Sequence, residues 1–87
     1  MMESMHIPCQ VCSVTSTKGE ITPLWVRFID EDGELQKIDI TGTKKSGANG
    51  IHTYFLKCTG MLGEQACMIK LSLDPGSMKW SIIGKMF

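Results

Sequence analysis

Glycine-containing polar turns recur along this 87-residue chain and separate short runs in which apolar and polar side chains alternate. The turns lie at 18–20, 30–34, 44–50, 60–64 and 74–77. Alternation between turns is typical of an antiparallel β-meander, because successive side chains of a strand point to opposite faces. No segment of the sequence has an apolar stripe at helical spacing. The chain is therefore predicted to be all-β.

The alternating runs predict five or six strands that form a small antiparallel meander. We expect the meander to curl into an SH3-like or partly open barrel, which protects exposed strand edges. Residues 1–8 are expected to form a flexible N-terminal arm, followed by one barrel-like domain at 9–87. The predicted strands lie at 9–16, 21–29, 35–43, 51–59, 65–73 and 78–85.

The fourth and fifth predicted strands allow a test of register, since one register should separate apolar from polar side chains. Placing Cys58 opposite Cys67 achieves this separation. The register sets Leu56 opposite Ile69, Tyr54 opposite Leu71 and His52 opposite Leu73 on one face, and Lys57 opposite Met68, Phe55 opposite Lys70 and Thr53 opposite Ser72 on the other.

Each remaining strand also offers one apolar face to a shared core. Pro23 lies near the start of the second strand and cannot donate a ladder hydrogen bond, so that end should be an edge or a bulge. The expected core positions on these strands are Cys9, Val11, Leu24, Val26, Phe28, Ile38, Ile40, Trp80 and Ile82.

The charges of the chain cancel, with nine Lys and Arg against nine Asp and Glu. A neutral chain lacks the usual electrostatic attraction to nucleic acid or a membrane surface, so neither is expected as a partner. It also lacks the self-repulsion that keeps copies apart. The expected partner is the chain itself or another protein. The first eight residues contain an acid and no apolar run, which favours a cytoplasmic protein.

Four cysteines are the candidate metal ligands, with Cys9 and Cys12 in a Cys-x-x-Cys motif and Cys58 and Cys67 further along. Four thiolates could bind zinc tetrahedrally. The spacing opposes this, because Cys9 and Cys12 on a regular strand point to opposite faces. Cys58 and Cys67 are nine residues apart across a hairpin. Reduced core thiols without a cofactor are the favoured interpretation, and a zinc-binding β-domain is the alternative.

The histidines and the longest loop offer little chemistry. His52 follows the loop at 44–50, and the sequence assigns it no partner that would make it a general base. The loop contains Lys44 and Lys45 with glycines, but it lacks the spacing of a phosphate-binding loop. A structural histidine and a solvated hairpin loop are favoured, and no enzyme activity is predicted.

The strand faces that point away from the predicted core carry aromatic, methionine and cationic side chains. These residue types are enriched in protein interfaces, so the face is a candidate contact surface. Two alternatives are that a tightly curved barrel buries them in a minor core, or that the N-terminal arm packs over them. Aromatics beside cations could also stack on single-stranded nucleic acid, which the neutral charge disfavours. The residues are Trp25, Arg27, Phe55, Lys57, Met68 and Lys70.

Five local features are spread over most of the chain, from Cys9 to Ile82. They are Gly19 with Pro23 entering the second strand, the Asp32-Gly33 turn, Ile38-Asp39 in the third strand, Gly50-Ile51 after the loop, and Trp80 in the last strand. In these features the chain resembles short, uncharacterised all-β proteins of anaerobic Firmicutes. The resemblance implies a bacterial all-β protein and carries no activity or site residues. The prediction is a non-enzymatic small β-domain that acts as a protein-interaction or binding module, with homodimerisation as one form of it.

Overall fold

The computed structural model describes residues 3–45 and 54–86, and these residues form six antiparallel strands. The all-β meander predicted from the alternating runs is confirmed. Within the described ranges, no helix is long and apolar enough to cross a membrane. The strands are β1 (Glu3–Thr15), β2 (Ile21–Ile29), β3 (Leu35–Lys45), β4 (Tyr54–Leu62), β5 (Gln65–Asp74) and β6 (Lys79–Met86).

The sheet closes on itself into a barrel. Each strand pairs with its neighbours in the sequence, and β6 pairs back with β1 to complete the ring. Closure gives each of the six described strands two hydrogen-bonded neighbours, which protects the strand edges from pairing with another chain. The described strands therefore offer their outward-facing side chains and the ends of the barrel for contact with other molecules.

The core occupies the inside of the barrel and is lined by the inward half of each alternating run. Every buried side chain of the described residues is apolar or a thiol. The predicted core positions Val26, Phe28, Ile38 and Ile82 are confirmed, and Cys9, Val11, Ile40 and Trp80 pack against the same core while partly exposed. The buried cluster consists of Val26, Phe28, Ile38, Leu56, Cys58, Cys67, Ile69, Leu71 and Ile82.

The expected boundary between an arm and the barrel at residue 9 is wrong. Strand β1 begins at Glu3, which pairs with Lys85, and Ile7 pairs with Ile82 of β6. The side chains of Met5 and Ile7 pack against the core, so this segment contributes to the apolar interior. A register shift between Ser4 and Ile7 interrupts the alternation, which is why the sequence did not show a strand there.

The predicted register of the fourth and fifth strands is wrong by two residues. Cys58 lies opposite Ile69, and Cys67 lies opposite Gly60. The cause is the turn, because β4 continues to Leu62 and only two residues separate it from Gln65. Such a short turn sets the pairing. A shift of two keeps the described side chains of both strands on their predicted faces. The observed pairs also include Leu56 with Leu71, Tyr54 with Leu73, Phe55 with Ser72, Lys57 with Lys70 and Thr59 with Met68.

Strand β2 contains the predicted bulge. Cys12 pairs with Trp25 and the next residue of β1 pairs with Pro23, so Leu24 is the extra residue between them. Pro23 is buried, whereas Leu24 is 46% exposed. The core position expected for Leu24 is therefore wrong, because the bulge displaces its side chain from the inward face.

Candidate interaction surface

The outward side chains of strands β2 to β5 form a surface that we call the outer β2–β5 surface. They alternate with core residues, as in β4, where Phe55 and Lys57 flank the buried Leu56. Strand β3 contributes Lys37, Asp39 and Lys44, which the sequence analysis had not assigned to a site. All six residues predicted for a contact face belong to this surface, namely Trp25, Arg27, Phe55, Lys57, Met68 and Lys70.

Trp25 is the centre of one cluster on this surface. The guanidinium carbon of Arg27 lies 4.7 Å from the centre of the Trp25 ring, and Lys37 Nζ lies 5.5 Å from it. Lys37 also forms an ion pair with Asp39 at 3.4 Å, and Asp39 is the cross-strand partner of Trp25. Cation–π contacts at exposed sites contribute about 0.5–1 kcal/mol each. The indole is thus held in one orientation while remaining partly exposed.

Arg27 is positioned by its neighbours on β1 and β2. Its Nη2 donates a hydrogen bond of 2.6 Å to Oε1 of Gln10, the residue opposite it in the ladder. Its Nε atom is buried and has no hydrogen-bond partner among the described residues. A buried donor without an acceptor costs about 1–3 kcal/mol. The Arg27 guanidinium therefore lies between the Gln10 amide, to which it donates, and the Trp25 ring on which it stacks.

Phe55 is the centre of a second cluster. Lys70 Nζ lies 5.6 Å from the centre of the Phe55 ring. The two residues are diagonal neighbours, since Phe55 pairs with Ser72 and Lys57 pairs with Lys70. Met68, which precedes Lys70 by two residues on the outward face of β5, is 37% exposed. This cluster combines an aromatic ring, a thioether and cations within one short patch of β4 and β5.

Three lysines lie side by side across β3, β4 and β5. Lys44 pairs with Lys57, and Lys57 pairs with Lys70, so the ammonium groups project from directly opposed positions. Neighbouring strands are about 4.8 Å apart, and like charges directly opposite one another are destabilising. We call these residues the lysine row. Sequence reasoning missed it because the predicted register placed Lys57 opposite Met68.

The two clusters do not form one flat face. Trp25 and Arg27 are on β2, whereas the Phe55 cluster is on β4 and β5, and β3 lies between them in the closed barrel. The curvature therefore turns the two aromatic rings in different directions. Strand β3 lies between the two clusters. Its Lys37 is opposite Arg27 of the Trp25 cluster, and its Lys44 is opposite Lys57 beside the Phe55 cluster.

The acidic residues are concentrated elsewhere. On β2 to β5 the described acidic positions are Asp39 and, at the end of β5, Asp74. The turn between β2 and β3 carries four acids in five positions, at Asp30, Glu31, Asp32 and Glu34. Although the net charge is zero, the charges are separated: the β2–β3 turn is acidic, and the outer β2–β5 surface is mainly cationic.

The β2–β3 turn is tightly built around Asp30. Its Oδ1 accepts hydrogen bonds of 2.9 Å from the backbone N–H groups of Asp32 and Glu34, and its Oδ2 accepts one of 2.7 Å from the Gln36 amide. The Gln36 hydrogen bond, followed by the Glu34 backbone bond, lowers the pKa of Asp30. Gly33 has φ of +80°, which favours glycine. The turn therefore presents its other carboxylates from a defined backbone.

An exposed apolar pair lies at the base of this turn. Ile29 and Leu35 are cross-strand partners at the ends of β2 and β3. Their side chains are 57% and 62% exposed, respectively. The acidic turn is thus joined to a small apolar patch that the barrel itself leaves uncovered.

The four cysteines are dispersed over the barrel. Cys9 packs against the core from β1, Cys12 is paired with the outward Trp25, and Cys58 and Cys67 are buried. In the part of the chain that the structure describes, no three His, Cys, Asp or Glu side chains are placed to hold a metal ion. The four cysteines are therefore not assembled into the zinc site considered as the alternative.

The thiols that face the core have raised pKa values and low reactivity. Burial raises the pKa of Cys9 to about 12. Burial also raises the pKa of Cys58, against the opposing hydrogen bond from Thr43, and the pKa of Cys67, against the opposing charge of Lys85. A raised pKa keeps the thiol protonated at neutral pH, and a protonated thiol is a poor nucleophile and metal ligand.

The histidine and loop predictions are only partly covered by the structure. His6 is an exposed residue of β1. His52 and residues 46–53 lie outside the described residues. Lys44 and Lys45, assigned to the loop from the sequence, belong to the end of β3.

A cavity of about 400 Å³ opens at the end of the barrel that carries the β1–β2 turn. Leu56, Leu73 and Ile21 line it with apolar groups, while Thr43 and Tyr54 contribute hydroxyls. Its volume lies within the usual range of small-molecule sites. The described lining contains one carboxylate, that of Glu20, and no cation.

No protein-family model, curated protein or solved structure matches this chain. The resemblance to all-β proteins of Firmicutes stays a prediction.

Proposed function

We propose that the protein is a non-enzymatic binding module that contacts a partner protein through the outer β2–β5 surface. The observation that carries the proposal is the lysine row, in which Lys44, Lys57 and Lys70 occupy directly opposed positions on three strands. The row favours a partner with an acidic surface, because carboxylates placed between the lysines relieve the repulsion among them.

The two aromatic clusters support the same proposal. Trp25 and Phe55 are partly exposed, and each is in contact with a cation of the barrel. Tryptophan, arginine, methionine and phenylalanine are enriched in interfaces, where rings that are already ordered lose little entropy on binding. Because the rings face different directions, the partner surface has to follow the curvature of β2 to β4 or engage one cluster at a time.

A cytoplasmic location belongs to this proposal. All four cysteines are free thiols, and disulfides are rare in the reducing cytoplasm. A bacterial origin, as the resemblance implies, and an SH3-like barrel class are parts of the same proposal.

Photo-crosslinking in the cells that express the protein tests the proposed surface. A photoreactive residue replaces Thr59, which is exposed on β4 between the lysine row and Met61, and in a matched strain it replaces Pro8. Pro8 is exposed on β1, three strands around the barrel from β4. We expect a discrete protein adduct from position 59 and none from position 8.

The double substitution W25S/F55S provides the matched variant. We expect it to abolish the position-59 adduct while leaving the circular dichroism spectrum folded, because both rings lie outside the core. Equal adducts from positions 8 and 59, or none from position 59, would contradict the proposal. Unfolding of the double variant would show instead that the two rings are structural.

A further inference from the structure

We infer that the acidic partner of the lysine row is a second copy of this chain, whose β2–β3 turn lies across the row in an antiparallel, twofold-symmetric dimer. The inference rests on the proposed function and names its partner. It combines three features of the barrel that are otherwise unrelated: the lysine row, the acidic turn and the exposed apolar pair at the base of that turn.

The charges of the two surfaces are complementary in sign and number. The row presents Lys44, Lys57 and Lys70. The carboxylate of Asp30 is already engaged within the turn, which leaves Glu31, Asp32 and Glu34 to point outward. Three cations thus meet three carboxylates. The zero net charge of the chain means that two copies approach without overall repulsion.

Exposed apolar side chains lie beside both charged surfaces. Ile29 and Leu35 flank the acidic turn with more than half of each side chain exposed. Phe55 and Met68 flank the lysine row. Contact between these apolar groups removes water from around the ion pairs, and ion pairs are stronger where water is excluded. Each surface therefore combines charged groups with apolar neighbours, and the charges of one surface are opposite in sign to those of the other.

The positions of the two surfaces on the barrel require an antiparallel arrangement. Strand β3 begins next to the acidic turn and ends at the lysine row, since it runs from Leu35 to Lys45. At about 3.3 Å per residue, the path from Leu35 to Lys44 is about 30 Å long. Two barrels side by side with opposed β3 strands place each turn against the other copy's row.

In this arrangement the turn of each copy contacts the lysine row of the other copy. Both contacts form in the same dimer, so no surface is left to add further copies. A twofold axis near the middle of β3 relates the two contacts, so the same surface is used on both copies. The Trp25 cluster lies beside this axis, because Trp25 pairs with Asp39 in the middle of β3. The proposed dimer therefore also covers one of the two aromatic clusters.

Charge-swap complementation tests the dimer. Sedimentation equilibrium of the purified full chain, at low and at moderate salt, measures the association of the wild type, of K44E/K57E and of E31K/E34K. We expect a wild-type dimer that weakens as salt rises, and a loss of affinity of about tenfold or more in each variant. An equimolar mixture of the two variants restores a dimer, because both of its contacts then pair opposite charges.

Two further variants separate specific pairing from a general effect of charge. K18E/K79E changes the net charge by the same amount as K44E/K57E but at positions in the β1–β2 turn and at the start of β6, and we expect it to dimerise like the wild type. The quadruple variant K44E/K57E/E31K/E34K has the wild-type net charge and both contacts reversed, and we expect it to dimerise with itself. Circular dichroism of each variant confirms folding before its association is interpreted.

The outcomes distinguish this inference from the proposed function. A wild type that stays monomeric at low salt and high concentration overturns the dimer, and so does a mixture that fails to associate while its folded components remain monomeric. A monomer whose position-59 adduct contains a different protein overturns the dimer and keeps the binding module. A monomer that binds an oligothymidylate probe through the lysine row overturns the dimer in favour of a nucleic-acid partner.

Discussion

Lys57 on β4 lies directly opposite Lys70 on β5, and on its other side it lies opposite Lys44 on β3. A like charge on each neighbouring strand repels Lys57 and destabilises an isolated barrel. Among the described residues, the ion pair that the structure shows joins Lys37 to Asp39 and does not include Lys57. Under the proposed function, an acidic partner would relieve this repulsion.

The substitution Lys57→Glu tests the energetic cost of the row in the isolated chain. It converts two repulsive cross-strand pairs into attractive ones, and each such pair contributes about 0.2–1 kcal/mol. We expect the free energy of unfolding of the monomeric chain to rise at low salt and the gain to shrink as salt increases. Urea titrations at two ionic strengths measure it, with Lys18→Glu in the β1–β2 turn as the matched control. A lower stability of K57E would show that the opposed lysines do not repel each other.

Gly60 is required by the close approach of β3 and β4. A Cβ atom at this position would lie 2.7 Å from the carbonyl oxygen of Asp39 and 2.7 Å from Cγ2 of Ile38. The Asp39 oxygen belongs to the backbone and cannot rotate away, so we expect Gly60→Ala to destabilise the fold by about 1–3 kcal/mol. Urea denaturation measures the loss.

Gly42→Ala is the control for that substitution. Its added Cβ would meet Thr59 Oγ1 at 2.9 Å, and a side-chain hydroxyl can turn aside. We expect a smaller loss of stability than for Gly60→Ala. If the two variants are equally stable, the tight approach at Gly60 is not a determinant of the fold.

The thiols that face the core predict a loss of stability at alkaline pH. Burial raises the pKa of Cys9 to about 12 in the folded state, whereas an unfolded cysteine titrates near 8.5. Its contribution to stability is therefore complete below about pH 8.5 and is lost as the pH rises towards the folded-state pKa. We expect the free energy of unfolding to fall in that interval, and to fall less steeply in Cys9→Ala. An identical slope in the variant would count against burial as the cause.

The same burial predicts selective labelling of the cysteines. Cys12 is on the outward side of β1 beside Trp25, whereas Cys9, Cys58 and Cys67 face the core. We expect one thiol to react rapidly with an aromatic disulfide reagent in the native protein and all four to react after denaturation. Cys12→Ser should remove the rapid phase. A rapid phase that persists in this variant would mean that a core thiol is accessible.

Asp30 predicts a response to acid. Hydrogen bonds from Gln36 and from the Glu34 backbone lower the pKa of Asp30 in the folded state. The stabilisation is present above the unfolded pKa of about 3.9 and is lost as the pH falls through the folded value. We expect Asp30→Asn to weaken the acid dependence of stability below pH 4 in thermal melts. Glu31→Gln in the same turn is the control, and an equal effect of both would contradict a special role for Asp30.

The alternation of residue types was sufficient to predict much of this architecture. Val26 and Phe28 on β2, Ile38 on β3 and Ile82 on β6 were all assigned to the core, because inward and outward side chains follow a period of two. The assignment survived even where the pairing was wrong, since the register of β4 and β5 differs by two residues and preserves the faces. Pro23 likewise marked its bulge because proline lacks the N–H that a ladder needs.

Other features depend on local geometry that residue types do not reveal. Leu24 is apolar and exposed because it is the extra residue of a bulge, and β1 begins at Glu3 although a register shift interrupts its alternation. The turn after Leu62 is shorter than the glycine-rich sequence suggested. Each case depends on the exact pairing of neighbouring strands, which the types of the residues do not specify.

Where a strand is regular, the sequence by itself determined which side chains face the core and which face outward, because that choice follows from the periodicity of the strand. Leu24, at the bulge, departs from this rule. The tertiary structure decided which outward side chains are neighbours, since this depends on register, on bulges and on closure between β6 and β1. The sequence therefore does not show that Lys44, Lys57 and Lys70 are neighbours. They form a row only when β3, β4 and β5 are paired. A net charge of zero is a property of the chain, whereas the separation of its charges is a property of the fold.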